Sequence, residues 1–205
     1  MYLIKSPRLL KWYYPELTWH MERTDKVIYL TFDDGPIPDV TPFVLKTLRM
    51  FEAKATFFCI GDNVRKYPEI FSALKDEGHS IGNHTFNHLK GWKTPDKIYL
   101  ENFELCQEIT GTELFRPPYG RVRKSQIAEI KRRYPNLKVV MWDVLSGDFD
   151  LQLSPVKCLN NVLTHTENGS IVVFHDSQKA FDRLKYALPK TLEHFAAQGY
   201  NFRAL

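Results

Sequence analysis

Five short stretches of this 205-residue sequence set a titratable or metal-ligating side chain just after an apolar run. "IYLTFDDGP" delivers Asp33 and Asp34, and "NHTFNH" holds His84 and His88. "FRPPYG" carries Arg116, "SGDFD" carries Asp148, and "VVFHD" ends on His175 and Asp176. Two imidazoles at i and i+4 can share one ion where the backbone turns helically, and a carboxylate can supply a third ligand. Thr85 stands where the zincin peptidase pattern needs Glu, so that reading fails. A set of two His and one carboxylate leaves positions open for a water, which the ion acidifies. If one aspartate binds the ion, its neighbour is free to take that water's proton. Arg116 can clamp a carboxylate with two parallel bonds, and the Pro117–Pro118 turn presents backbone N–H groups beyond it. Each stretch alone has a plainer account: a turn for DDGP, cap or surface chemistry for HxxxH, an acidic turn for SGDFD, a structural histidine for His175. Jointly the five supply metal ligands, a base, an acid and an orienting cation.

Something must bring these residues together. Apolar, β-rich runs alternate with helical patterns from about residue 26 onward. Strands are expected at 26–32, 55–61, 79–85, 114–118, 137–142, 170–175 and 200–205, with helices at 38–51, 64–78, 95–110, 123–134, 154–169 and 179–199. In the helix at 95–110, Ile98, Phe103, Leu105 and Ile109 recur at helical spacing, and Gly78 and Gly199 sit at helix stops. Such alternation with continuous apolar strands predicts a parallel sheet covered by helices. Seven strands with no GxGxxG loop after the first favour a closed or nearly closed barrel over a dinucleotide-binding sheet. Barrels of this kind carry their chemistry at the C-terminal strand ends, where the five stretches fall. Residues 1–25 form an N-terminal extension, whose Trp12, Tyr13, Tyr14 and Trp19 are expected over the closed end of the barrel; residues 26–205 form the barrel domain.

The composition excludes several function classes. The hydrophobic fraction of 43% and charged fraction of 25% are those of an ordinary globular domain. A net charge of +4 with no long Lys/Arg block argues against nucleic acid, and "KRRY" at 131–134 reads as a solvated helix face. Three scattered cysteines, Cys59, Cys106 and Cys158, fit neither a disulfide framework nor a cysteine metal site. No run is long enough to span a bilayer. Lys5, Pro7, Arg8 and Lys11 interrupt the apolar N-terminus, so no secretory signal is read. The expected address is cytoplasmic, or extracytoplasmic if a leader has been removed. Oligomeric state is not legible.

In their order along the chain, "TFDDGP", "NHTFNH", "RPPYG", "WDVLSGDF" and "VVFHD" resemble the motifs of the polysaccharide deacetylases, the NodB-homology domain of carbohydrate esterase family four. The resemblance runs from Thr31 to Asp176. It implies a single-domain α/β fold, a distorted (β/α)₇ barrel like a TIM barrel, and metal-dependent removal of acetyl groups from N-acetylated sugars such as chitooligosaccharide or peptidoglycan. It makes Asp33 the base and Asp34, His84 and His88 the ligands of one divalent metal, Zn²⁺ by preference, with Co²⁺, Ni²⁺ or Fe²⁺ also accepted. Arg116 would orient Asp33, and the Tyr119 N–H would help hold the oxyanion. Asp148 would tether either Arg116 or His175, and His175 would be the acid that protonates the leaving amine. Thr31 and Asn83 would support these groups, while Pro118, Tyr119, Phe149 and Val173 would line the substrate. The sequence departs from the family pattern at Leu145, Phe149 and Val173, where Asp, Trp and Leu are common. An apolar lining for the acetyl methyl is kept, and a tryptophan that stacks on a sugar ring is lost. Rival readings are a small-molecule amide or imide hydrolase on the same scaffold, an esterase for O-acetylated xylan, and a carbohydrate-binding protein without catalysis. The last would be expected to lack Asp33 or His175.

Overall fold

The computed structural model describes residues 2–205; Met1, the first residue of the expected extension, lies outside them. The sheet contains β1 (Val27–Asp33), β2 (Thr56–Cys59), β3 (Ser80–Asn83), β4 (Leu114–Phe115), β5 (Lys138–Val139), β6 (Val144–Leu145) and β7 (Ile171–His175), in the order β5-β4-β3-β2-β1-β7-β6. All neighbours on this path are parallel. A further short strand, β8 (Asn201–Phe202), pairs with the start of β1. The expected barrel is therefore present, with one correction to its count. The seventh strand of the path is Val144–Leu145, read in the sequence only as part of a motif, while the last apolar run lies off the path. Two residues are too few for a period-2 pattern to register.

Alternation along the strands sorts the interior from the outer core. Ile28, Leu30 and Phe32 of β1 join Phe57 and Cys59 of β2 and Val172 and Phe174 of β7 in one apolar cluster with α2 (Val40–Met50), α7 (Pro155–His165) and α8 (Phe181–Ala197). The alternate residues, Thr31 and Asp33, pair in register with Val173 and His175 and with Thr56 and Phe58, and face the barrel interior. On β3, Asn83 takes the outward position, so His84 beyond it turns inward; the same step from Phe115 places Arg116 inside. Gly82 faces inward opposite Phe58, where a Cβ would lie 2.3 Å from the phenyl ring. That missing side chain leaves room for Phe58, over which the Arg116 guanidinium stacks at 4.1 Å.

The helical segment expected at 64–78 is two helices, α3 (Gly61–Lys66) and α4 (Pro68–Asp76). Pro68 forces Tyr67 out of the helical region, to φ −131°. In α5 (Asp96–Thr110) only Phe103 of the four apolar residues singled out is buried; Ile98, Leu105 and Ile109 are exposed. The buried face is Tyr99, Asn102, Phe103, Cys106 and Gln107, of which Asn102 and Gln107 are polar and Cys106 weakly apolar.

Strands β5 and β6 do not pair with each other, and the N-terminal segment occupies the seam between them. The Leu145 N–H donates to the Ile4 carbonyl (2.8 Å), and Thr18 exchanges bonds with Val139 and Met141 just past β5. Leu17 and Trp19 are buried with Phe103, Ile130 and Val139. The short helix α1 (Arg8–Tyr13) buries no residue, and Trp12 and Tyr13 are exposed. The segment thus satisfies two open sheet edges, where the sequence led us to expect a cap over the closed end. The three cysteines are free and buried.

Candidate active site

Asp33 ends β1, and the turn after it carries Asp34 at φ 88°. This is one of four non-glycine residues with left-handed φ in the five motifs, with Thr85 (61°), His88 (56°) and Tyr119 (59°). Each costs on the order of 1 kcal/mol, a strain the surrounding packing must hold. Asp176 supplies part of that hold on the first turn. Its carboxylate accepts from the Gly35 N–H (3.0 Å) and the Thr41 hydroxyl (2.7 Å). A Cβ on Gly35 would fall 1.9 Å from Asp176 Oδ2, so only glycine fits there. Burial pushes the Asp176 carboxyl up to about 8 against these two donors. The sequence assigned Asp176 no role; its only signal was adjacency to His175.

The HxxxH loop is held from α5. Asn83 Nδ2 donates to the Phe103 carbonyl (3.1 Å) and to Gln107 Oε1 (3.0 Å), while Asn83 Oδ1 accepts from the Thr85 N–H (2.8 Å). Asn102 bonds the Asn87 backbone N–H (2.9 Å) and its side-chain amide oxygen (2.8 Å). His84 Nδ1 lies 2.7 Å from the Arg116 carbonyl. A carbonyl only accepts, so Nδ1 carries the proton and Nε2 presents its lone pair. Burial drives the His84 imidazole down to about 4, so it is neutral.

Asp34, His84 and His88 each place a ligand atom within 4.8 Å of the others, the one such group among the described residues. Asp34 Oδ1 is buried without a hydrogen-bond partner, although His88 Nε2 is 3.2 Å away and His84 Nε2 3.8 Å. An unpaired carboxylate oxygen facing two imidazole nitrogens is what a divalent cation would satisfy, and N/O donors of this kind suit first-row metals. The residues fit the group.

Asp33 has the opposite surroundings. Its Oδ1 accepts from Arg116 Nη1 at 2.6 Å, and the same nitrogen donates to Thr31 Oγ1 (2.8 Å). Arg116 is fully buried and spends its other donors on the Val140 and Met141 carbonyls (3.2 and 2.9 Å). Burial opposes ionisation of Asp33, and the Arg116 charge, the nearby His84 and His175 rings and the Arg116 hydrogen bond together outweigh it, holding the carboxyl below its usual range. Asp33 Oδ2 stays 4.0 Å from His84 Nε2. On the choice left open by the sequence, Asp148 grips His175, through the His175 backbone N–H (2.7 Å) and Nδ1 (2.7 Å). Burial alone would lower the His175 imidazole, but Asp148, with Asp34 and Asp33 behind it, raises it to about 9. Arg183 of α8, which no motif marks, donates from Nε to the Asp148 carbonyl (2.5 Å).

Of the residues expected along the substrate, Tyr119 is exposed, with its ring 4.6 Å from that of His88. Phe149 stands edge-on to His175 at 5.2 Å. Pro118 is buried in the turn, and Val173 lies buried beneath His175 on the same strand face. Thr31 and Asn83 contact Arg116 and the Thr85 turn respectively. The other histidines lie apart; His79 accepts the Ala55 N–H on a buried ring.

A family model described as polysaccharide deacetylase matches residues 20–134. A peptidoglycan-N-acetylglucosamine deacetylase of Bacillus cereus is 35% identical over 193 residues, covering 91% of this chain and 89% of its own. A chitooligosaccharide deacetylase of Azorhizobium caulinodans is 38% identical over 156 residues, 73% of each chain. The solved structure of the Bc1960 peptidoglycan N-acetylglucosamine deacetylase superposes with a TM-score of 0.85 at 28% identity, covering 98% of this chain and 95% of that one.

Proposed function

The chain belongs to the polysaccharide deacetylase family, and from that premise we propose that it hydrolyses the acetamido groups of N-acetylglucosamine units in a peptidoglycan- or chitin-type glycan. The observation that carries this reading is the meeting, at one end of the barrel, of three differently prepared groups. These are an unpaired Asp34–His84–His88 cluster, an arginine-held Asp33, and a His175 whose proton Asp148 retains. The catalytic unit is residues 26–205, with the N-terminal segment packed on it. The named relatives act on acetylated amino sugars of both kinds, which supports the substrate class.

Asp34, His84 and His88 would hold one divalent cation, with Zn²⁺ the first choice for two imidazoles and a carboxylate. When bound, it supplies a Lewis acid and lowers the pKa of a water. Asp33, ionised and fixed by Arg116, takes a proton from the attacking water as its oxygen forms a bond to the acetyl carbon. The Tyr119 N–H donates to the carbonyl oxygen as negative charge gathers there. His175 then gives its proton to the nitrogen as the C–N bond breaks, and acetate and a free amine leave. Phe149 and Tyr119 frame the sugar, and Val173 and Leu145 form the apolar floor for the acetyl methyl.

The test is acetate release from N-acetylated and O-acetylated glycans, with the metal-stripped protein as control. Release is expected from N-acetylglucosamine polymers, lost on chelation and restored by a divalent metal. Release from acetylated xylan alone would move the substrate class, and none from any glycan would overturn the reading.

A further inference from the structure

Tyr2 lies outside every motif, yet it reaches the loop that holds the proton donor, and we propose that Tyr2 is a positioning residue for His175. The proposal rests on the reading of His175 as the general acid.

The N-terminal segment runs antiparallel beside β6. Leu145 N–H donates to the Ile4 carbonyl (2.8 Å) and Ser6 N–H to the Asp143 carbonyl (2.9 Å), with Lys5 opposite Val144. Side chains alternate along an extended chain, so Tyr2 shares a face with Ile4, which packs against the main apolar cluster. Continuing past β6, that face meets the loop Ser146–Asp150. The Tyr2 ring packs tilted on Phe149, centroids 4.9 Å apart, and its hydroxyl donates to Asp150 Oδ2 at 2.9 Å. Gly147, at φ 81°, makes way for it, since a Cβ there would lie 3.0 Å from the Tyr2 oxygen. Burial and the Asp150 carboxylate push the phenol up to about 12, so it remains a donor at any working pH.

Tyr2 therefore grips the two residues that follow Asp148, by its ring on one and its hydroxyl on the other. Asn161 Nδ2 holds the loop's start at the Ser146 carbonyl (2.9 Å), and Arg183 holds the Asp148 carbonyl. Phe149 touches His175 edge-on, and Asp148 bonds it twice. Without Tyr2, the support at the far end of this loop is gone, and the His175 proton no longer sits where the leaving nitrogen needs it. A misplacement of this kind slows proton transfer and leaves the ligand cluster untouched.

An amide needs its departing nitrogen protonated, whereas 4-nitrophenolate leaves unaided. The experiment compares turnover of a chitooligosaccharide with that of 4-nitrophenyl acetate in Tyr2→Ala, Tyr2→Phe, Leu3→Ala and His175→Gln, together with bound metal. Tyr2→Ala is expected to lower the amide-to-ester ratio about tenfold, and Tyr2→Phe, which keeps the ring, about threefold. Metal content should hold, and Leu3→Ala, an exposed neighbour, should match the parent. Equal loss on both substrates, or no loss, in the Tyr2 variants while His175→Gln is amide-selective would overturn the role of Tyr2 alone. If His175→Gln lowers both substrates alike, the acid assignment falls and the role of Tyr2 falls with it.

Discussion

Asp33 and Asp34 are adjacent in sequence and opposite in circumstance. One carboxylate is buried against Arg116, while the other leaves an oxygen unpaired toward two imidazoles. Replacing each by Asn therefore has different consequences. Asp33→Asn is expected to keep its metal and lose about 10²–10⁴-fold in turnover, the worth of a positioned base. Asp34→Asn is expected to lose the metal itself. Metal analysis of the two purified variants beside acetate release decides it, and equal metal loss in both would sink the division of labour. His175 adds a pH dependence. Its imidazole is raised to about 9, so the acid form is present below that value and is lost as the pH rises through it. A cation on Asp34 removes part of the pull from that carboxylate, so the alkaline fall in kcat is expected at or below about 9, and absent in His175→Gln. At this scale the sequence carried a great deal, because each motif names a residue type and a strand end. It could not choose the partner of Asp148, since chain distance does not separate Arg116 from His175 decisively; only the loop's path brings the carboxylate to the β7 end.

Elements carry the next layer, and here the apolar spacing of α5 misled. Ile98, Leu105 and Ile109 follow a helical period but face outward, because the inward face combines apolar burial with amides that fasten a loop. Asn102 and Gln107 lie inward to fasten the His84–His88 loop, with Tyr99, Phe103 and Cys106 filling the space around them. Hydrophobicity alone cannot foresee this, since a buried amide with partners looks like a surface residue until the partners are placed. Leu105→Lys is accordingly expected to change stability by no more than about 0.5 kcal/mol, as for a surface site. Phe103→Ala, which empties a space against Phe115 and Tyr134, is expected to cost about 3–5 kcal/mol. Urea unfolding of the two variants separates the cases, and a large loss in Leu105→Lys would contradict the packing. Strand β6 escaped notice for a related reason: its two residues and the Asp143 before it are defined by partners on β7 and the N-terminal segment.

Across the whole molecule, the seam between β5 and β6 is closed by electrostatics as well as by backbone pairing. Asp143, fully buried at the seam, accepts from Lys5 (2.8 Å), Lys11, Arg23 (3.1 Å) and the Ser170 hydroxyl (2.7 Å). Three cations that lie within residues 5–23 thus converge on one carboxylate of the barrel. Nothing in the sequence marks Asp143 for this, because the three cations are more than a hundred residues away. Burial works against its charge, and the bonds from Lys11, Lys5 and Ser170 outweigh that and hold the carboxyl far below its usual range. The folded-state pKa being depressed, the clasp stabilises fully above the unfolded value of about 3.9 and is lost as the pH falls toward the folded one. The cations are partly exposed, so breaking the clasp costs less than for a wholly buried pair. Asp143→Asn is expected to lose about 2–4 kcal/mol near neutrality. Other carboxylates also titrate in acid, so the informative quantity is the gap between the two proteins, which is expected to narrow steadily below about pH 4. Unfolding midpoints measured from pH 7 to pH 3 follow that gap, and a gap that stays constant would show that the charge on Asp143 does not hold the seam. Because the same segment continues to Tyr2, loosening it at Asp143 should also lower amide turnover before the barrel unfolds, so the two ends of the segment link stability to catalysis.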